Sequence, residues 1–78
     1  MIELTELHYM DQKTLEYPVL LNPRHIVSVR PAQVKLYGDR KDNVWRVKLV
    51  TSEVIFVKSK TLGNDPEAWA RALSEEAA

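Results

Sequence analysis

The sequence contains no cysteine, only two glycines and two histidines, and no net charge, with eleven basic residues against eleven acidic ones. Without cysteine there can be neither disulfide staples nor a thiolate zinc site, and two histidines fall short of the three or four protein ligands a metal centre normally takes. Gly38 and Gly63 stand far apart, which excludes a glycine-rich phosphate loop. The longest apolar runs are much shorter than the 18 or more residues of a membrane span, and Met1-Ile2-Glu3-Leu4 carries no basic leader. A cytoplasmic protein with no membrane role is the expectation. His8 and His25 fall in different predicted strands with no nucleophile beside them. The pairs Asp39/Asp42 and Glu75/Glu76 lie where nothing would desolvate them, and desolvation is what raises a carboxyl pKa toward useful acid–base values. A chain of 78 residues also has little room for an enclosed pocket. No enzyme, metal or cofactor is expected.

The residues that are present describe one domain, 45% apolar and without repeats or linkers. Charge is segregated. Residues 1–23 set Lys13 against four acids, residues 24–60 carry nine bases against three acids, and residues 61–78 set Arg71 against four acids. A basic middle flanked by acidic ends can simply neutralise itself within one fold, or it can present a basic face to an acidic partner or a nucleic acid.

Periodicity predicts a β meander over residues 1–60. Ile2 and Leu4 occupy one strand phase and Leu7 and Tyr9 the other, which predicts a bulge or bend in the first strand. Residues 10–13 read as a turn. Leu15, Tyr17, Val19 and Leu21 alternate as a half-buried strand, with Pro18 suited to an edge. Asn22-Pro23 marks a turn. Ile26–Arg30 follows, broken by Pro31, with Val34–Tyr37 as its continuation or a further strand. Residues 38–43 form an exposed loop. Trp45, Val47, Leu49 and Thr51 give the clearest alternation, and Val54–Val57 is apolar throughout, as in a strand buried on both faces. Residues 65–77 change to helical period, with Asp65 as N-cap and Pro66 at the first helical position. The expected fold is α+β: a small antiparallel sheet or SH3-like half-barrel of four to five strands with one C-terminal helix.

Two candidate sites follow. Tyr37, Arg40, Lys41, Arg46 and Lys48 form a basic, aromatic-containing binding face. Trp69 and Leu73 share a helix face, as either the anchor to the sheet or a hot spot for a partner.

Met1-Ile2-x-Leu4-Thr5-x-Leu7, Leu21-Asn22-Pro23-x-x-Ile26-x-x-Val29, Val47-x-Leu49 and Val57-Lys58-Ser59 together resemble the small flagellar FlbD-like family of bacteria and prophages, over roughly residues 1–60. Here the first hairpin is longer, residues 38–43 look inserted, and Thr51-Ser52-Glu53 replaces a turn that usually carries glycine. The resemblance implies a small β protein with a protein partner and no chemistry. The expected function is therefore a non-catalytic protein–protein interaction module: an adaptor, regulator or phage-borne modulator. Sheet edges offer strand addition, and Val54–Val57 would be a sticky edge open to homodimerisation. A nucleic-acid binder using the basic strand face is the second expectation, and a structural subunit of a larger assembly the third.

Overall fold

The computed structural model describes residues 1–10, 13–36 and 40–77. Its elements are β1 (Ile2–Met10), β2 (Lys13–Leu21), a short 3-10 turn (Pro23–His25), β3 (Ile26–Lys35), β4 (Lys41–Leu49), β5 (Val54–Lys58) and α1 (Pro66–Ala77). The strands form one antiparallel sheet in the order β2-β1-β5-β4-β3. The architecture is thus a small α+β fold, an open five-stranded sheet with a C-terminal helix.

The order departs from a simple meander. β1 pairs with β5, so two sequence-local units, the β1–β2 hairpin and the β3–β4–β5 meander, join through β5. Val54–Val57 is accordingly no edge. β5 is the central strand, bonded to β1 on one side and β4 on the other, and a homodimer through its edge is ruled out by that position. The true edges are β2 and β3, and each carries a proline, Pro18 and Pro31. Proline cannot donate a ladder bond, and edge strands are where sheets tolerate it. This explains why β3 runs through Pro31 where a break was expected.

The phase change in β1 is not a bulge. Its register with β2 is unbroken from Ile2↔Leu21 to Met10↔Lys13. The strand buries apolar residues on both faces, Ile2 and Leu4 on one and Leu7 on the other. The irregularity sits instead in β3 between Ile26 and Ser28, where Val27 is the extra residue. Lys41, Asp42 and Asn43 belong to β4 rather than to a loop. Asp11 and Gln12 of the predicted turn, Tyr37 at the end of the predicted Val34–Tyr37 segment, and Gly38 and Asp39 of the predicted loop lie outside the described residues.

The main core lies on the helix-side face of the sheet. Ile2, Leu4, Trp45, Val47, Val57 and Trp69 are buried together, with Val29, Leu49, Ile55, Leu62 and Leu73 packed around them. Local chemistry places the helix there. Asp65 Oδ1 accepts the Glu67 N–H at 3.0 Å, an N-cap immediately ahead of Pro66. Asn22 Oδ1 does the same for Arg24 at the 3-10 turn, at 3.0 Å. Trp69 then reaches Trp45 of β4, their rings 5.1 Å apart and inclined at 36°. Both indole N–H groups donate to one acceptor, the carbonyl of Gly63, at 3.0 Å from Trp45 and 2.9 Å from Trp69. Gly63 sits at φ 58, in the left-handed region that favours glycine.

The β4–β5 turn is held by Ser52 N–H to Leu49 C=O at 3.0 Å and Leu49 N–H to Glu53 C=O at 2.9 Å. Ser52 adopts φ 73, the glycine-type conformation, without a glycine.

Two outcomes follow for stability. Trp69→Ala removes a side chain that is 1% exposed and costs about 3–5 kcal/mol in urea unfolding, a large share of the stability of a small domain. At the turn, Ser52→Gly relieves a left-handed strain of about 1–2 kcal/mol against a glycine entropy cost of about 0.5–1, so its unfolding midpoint rises. Ser52→Val, β-branched at positive φ, lowers the midpoint.

Candidate functional site

Side chains alternate across a strand, so the register assigns every residue to the helix-side face or to the open face behind it. Leu7 pairs with both Glu16 and Phe56, Phe56 with Arg46, and Arg46 with Arg30. Glu16, Leu7, Phe56, Arg46 and Arg30 therefore form one row across all five strands of the open face. Lys48 lies on the same face between Ser28 and Val54. Leu20, opposite Glu3, extends it at the other end.

Among the described residues no secondary-structure element covers this face, yet its centre is apolar. Leu7 is 4% exposed and Val44 2%, and both lie outside the core cluster beneath the helix. Tyr9 closes edge-to-face on Phe56 with ring centres 6.3 Å apart. Its hydroxyl donates to Asp42 Oδ2 at 3.3 Å, and Asp42 Oδ1 is 2.5 Å from Lys58 Nζ. Burial first, then the negative charge of Asp42 and the hydrogen bond to it, push the Tyr9 phenol up from about 10 to about 12.

The basic residues named from the sequence do not form one surface. Arg46 and Lys48 are exposed on the open face. Lys41, five positions earlier in β4, falls on the helix-side phase opposite Lys35, about 17 Å along the strand from Arg46. Arg40 is exposed at the start of the same hairpin arm, and Tyr37 lies outside the described residues. The partner that sequence reasoning missed is Arg30. It sits directly across from Arg46, a like-charge cross-strand pair that costs stability unless something answers it. Among the described residues no ion pair engages Arg30, Arg46, Lys48 or Glu16. Only the strand register, invisible to local periodicity, could have revealed it.

Trp69 and Leu73 belong to the helix-side packing, Trp69 fully buried and Leu73 partly so. Between α1 and β3 runs a groove of about 310 Å³ lined by Pro23, Ile26, Val29, Trp69, Ala70 and Leu73. A second cleft of about 370 Å³ is polar, lined by Lys41, Asp42, Asn43, Lys58, Ser59 and Asn64.

His8 is exposed and sits 2.8 Å from Glu6 Oε2 and edge-on to Tyr17, while His25 is exposed on the 3-10 turn. Among the described residues no three His, Cys, Asp or Glu side chains gather to hold a metal ion, and no helix is long and apolar enough to cross a membrane. Comparison with known protein families, with curated proteins and with solved structures finds no match to this chain.

The Tyr9 shift has a definite sign. A phenol whose folded pKa is raised holds its proton more tightly in the folded state, so its contribution is intact below pH 10 and is lost as pH rises from 10 through about 12. Ultraviolet titration of the wild type should therefore show one tyrosine ionising late. In Asp42→Asn that tyrosine moves down toward its ordinary value, and the alkaline loss of stability, which still sets in near pH 10, is smaller and complete at a lower pH.

Proposed function

We propose that the protein is a non-catalytic protein–protein interaction module, an adaptor or regulator acting in the cytoplasm of a bacterium or carried by a phage, and that it works through the open face of its sheet. One observation carries this reading: an apolar centre in which Tyr9 and Phe56 lie half-exposed with Leu7 and Val44 buried is bordered by Arg30, Arg46 and Lys48, which make no ion pair among the described residues. Interfaces have this anatomy, an apolar middle within a polar rim that supplies charge complementarity. The prolines in both edge strands argue against strand addition and leave the face as the surface to use. The resemblance to FlbD-like proteins supports a role in partner binding. The Tyr9–Asp42 contact, made across the open face by residues 33 apart in the chain, supports the curl of an SH3-like half-barrel.

A nucleic-acid-binding module is the second reading, favoured by Arg30, Arg46 and Lys48, which make no ion pair among the described residues. Stacking platforms for bases need exposed aromatic faces. On the open face Tyr9 and Phe56 are only half-exposed and packed on each other, which places the protein partner ahead.

The two readings separate in one capture experiment with the tagged full chain, using lysate with and without nuclease. A partner retained after nuclease and lost with Arg46→Glu/Lys48→Glu, at unchanged thermal stability, is the expected result. Capture that vanishes on nuclease treatment, with oligonucleotide binding that weakens steeply as salt rises, would replace it with the second reading.

A further inference from the structure

The β3–β4 hairpin outruns the sheet that holds it. Its pairs extend from Ile26↔Leu49 to Lys35↔Lys41, but β5 engages β4 only from Trp45 to Lys48. Residues 32–35 and 41–44 therefore pair only with each other, as a two-stranded ribbon past the end of β5. One further bond, Leu36 N–H to Arg40 C=O at 2.8 Å, extends it. Tyr9 reaches the ribbon on its open-face side through Asp42. The opposite side, in phase with Trp45, carries Gln33, Lys35, Lys41 and Asn43, all exposed.

Two cross-strand pairs make up that side. Lys35 lies directly across from Lys41, with exposed Arg40 next in the chain. Like charges directly opposite cost stability, and among the described residues no ion pair answers these three cations. Gln33 lies directly across from Asn43, and its Nε2 donates to Asn43 Oδ1 at 3.0 Å. Gln33 Oε1 and Asn43 Nδ2 have no hydrogen-bond partner among the described residues. We propose that this side of the ribbon binds double-stranded DNA, laid into the major groove. The site is separate from the open face and goes beyond the role proposed for that face.

The chemistry of the ribbon selects this occupant. A B-form major groove is about 12 Å wide and about 8.5 Å deep, and it admits a two-stranded ribbon. Two strands about 4.8 Å apart, paired over four residues each, give an arm about 14 Å long. Lysine and arginine neutralise phosphates, while Asn and Gln amides match the donor and acceptor that adenine shows in the groove. An acidic protein would answer the cations but gives the amide pair no role. An A-form RNA duplex has a major groove too narrow for side chains to read. The surroundings leave room for the nucleic-acid backbone. A cleft of about 370 Å³ runs from Lys41 and Asn43 to Ser59 and Asn64, and a second of about 470 Å³ from Gln33 and Asn43 to Asn64. Asp42 borders the first cleft but is tied to Lys58 and Tyr9, and Asp65 turns its Oδ1 to the cap of α1.

Fluorescence anisotropy of the full chain with a labelled DNA duplex of about 20 base pairs tests the proposal. The wild type should bind in the micromolar range at about 50 mM salt and about 40-fold more weakly at about 200 mM, as three phosphate contacts require. Lys41→Glu turns the pairing with Lys35 into an attractive one, so its thermal midpoint holds or rises. Its duplex affinity should nevertheless fall at least about 10-fold. Lys13→Glu, the same change of charge at the start of β2, should stay within about 3-fold of the wild type. No duplex binding by the wild type at about 100 µM protein overturns the proposal. So does equal weakening by the two reversals, which would mark diffuse charge, or binding of the matching RNA duplex as tight as that of DNA. Loss of the duplex with Arg46→Glu/Lys48→Glu but not with Lys41→Glu would move the contact to the open face and overturn it too. A nuclease-resistant protein lost with Lys41→Glu, without duplex binding, would assign the ribbon to an acidic protein instead. None of these outcomes decides the open-face reading, whose partner survives nuclease and depends on Arg46 and Lys48.

Discussion

The carbonyl oxygen of Gly63 accepts two indole N–H groups at once, one from β4 and one from α1. A helix of 12 residues has little stability of its own in water, so it forms here because tertiary contacts hold it. Trp69 supplies the area and Trp45 supplies the platform. Gly63, in the turn that leads from β5 toward the helix, satisfies the polar end of both. A carbonyl has two lone pairs, so the arrangement leaves neither indole with an unpaired buried donor. The turn is itself braced by Gly63 N–H to Ser59 C=O at 2.9 Å and Leu62 N–H to Ser59 Oγ at 3.0 Å.

That cluster settles which face of the sheet is spent on stability. The helix-side core takes Ile2, Leu4, Val47 and Val57 along with the two indoles. Among the described residues, one helix and five strands, no element lies over the other face. The chain meets this by building a smaller apolar centre there, Leu7 and Val44 beneath Tyr9 and Phe56, and by tying Tyr9 to Asp42 and Asp42 to Lys58. Its margins carry charge of opposite sign on opposite sides. Both edge strands contain a proline, so backbone pairing with another chain is discouraged where it would otherwise be easiest. The recognition role proposed above therefore falls to the uncovered face.

Much of the local structure was legible in the sequence because it is set by short-range chemistry. Asp65-Pro66 starts the helix and Asn22-Pro23 turns the chain, each through the side-chain bond its residue type is suited to make. Trp45, Val47 and Leu49 alternate as they do in β4. The failures share a cause, since each depends on which strands become neighbours. An all-apolar β5 looks the same from its residues alone whether it is an edge or the centre, and only the β1–β5 pairing distinguishes them. The opposed apolar phases of β1 suggested a bulge, when they mark a strand with buried residues on both faces. The basic face was assembled from residues close in sequence, which joined Lys41 to Arg46 although alternation sends them to opposite sides. It also omitted Arg30, which only the β3–β4 register brings beside Arg46.

The two indoles must be locked beneath the helix for the role proposed for the opposite face, because a loosely docked helix would leave the helix-side apolar residues open as well. Hydrogen exchange of the two tryptophan side-chain N–H groups, followed by NMR in the intact chain, reads this directly. Both should exchange slowly and together, at rates set by opening of the whole domain. Rapid exchange of the Trp69 indole while the strand amides stay protected would mean that the helix is only loosely docked, and would contradict the account.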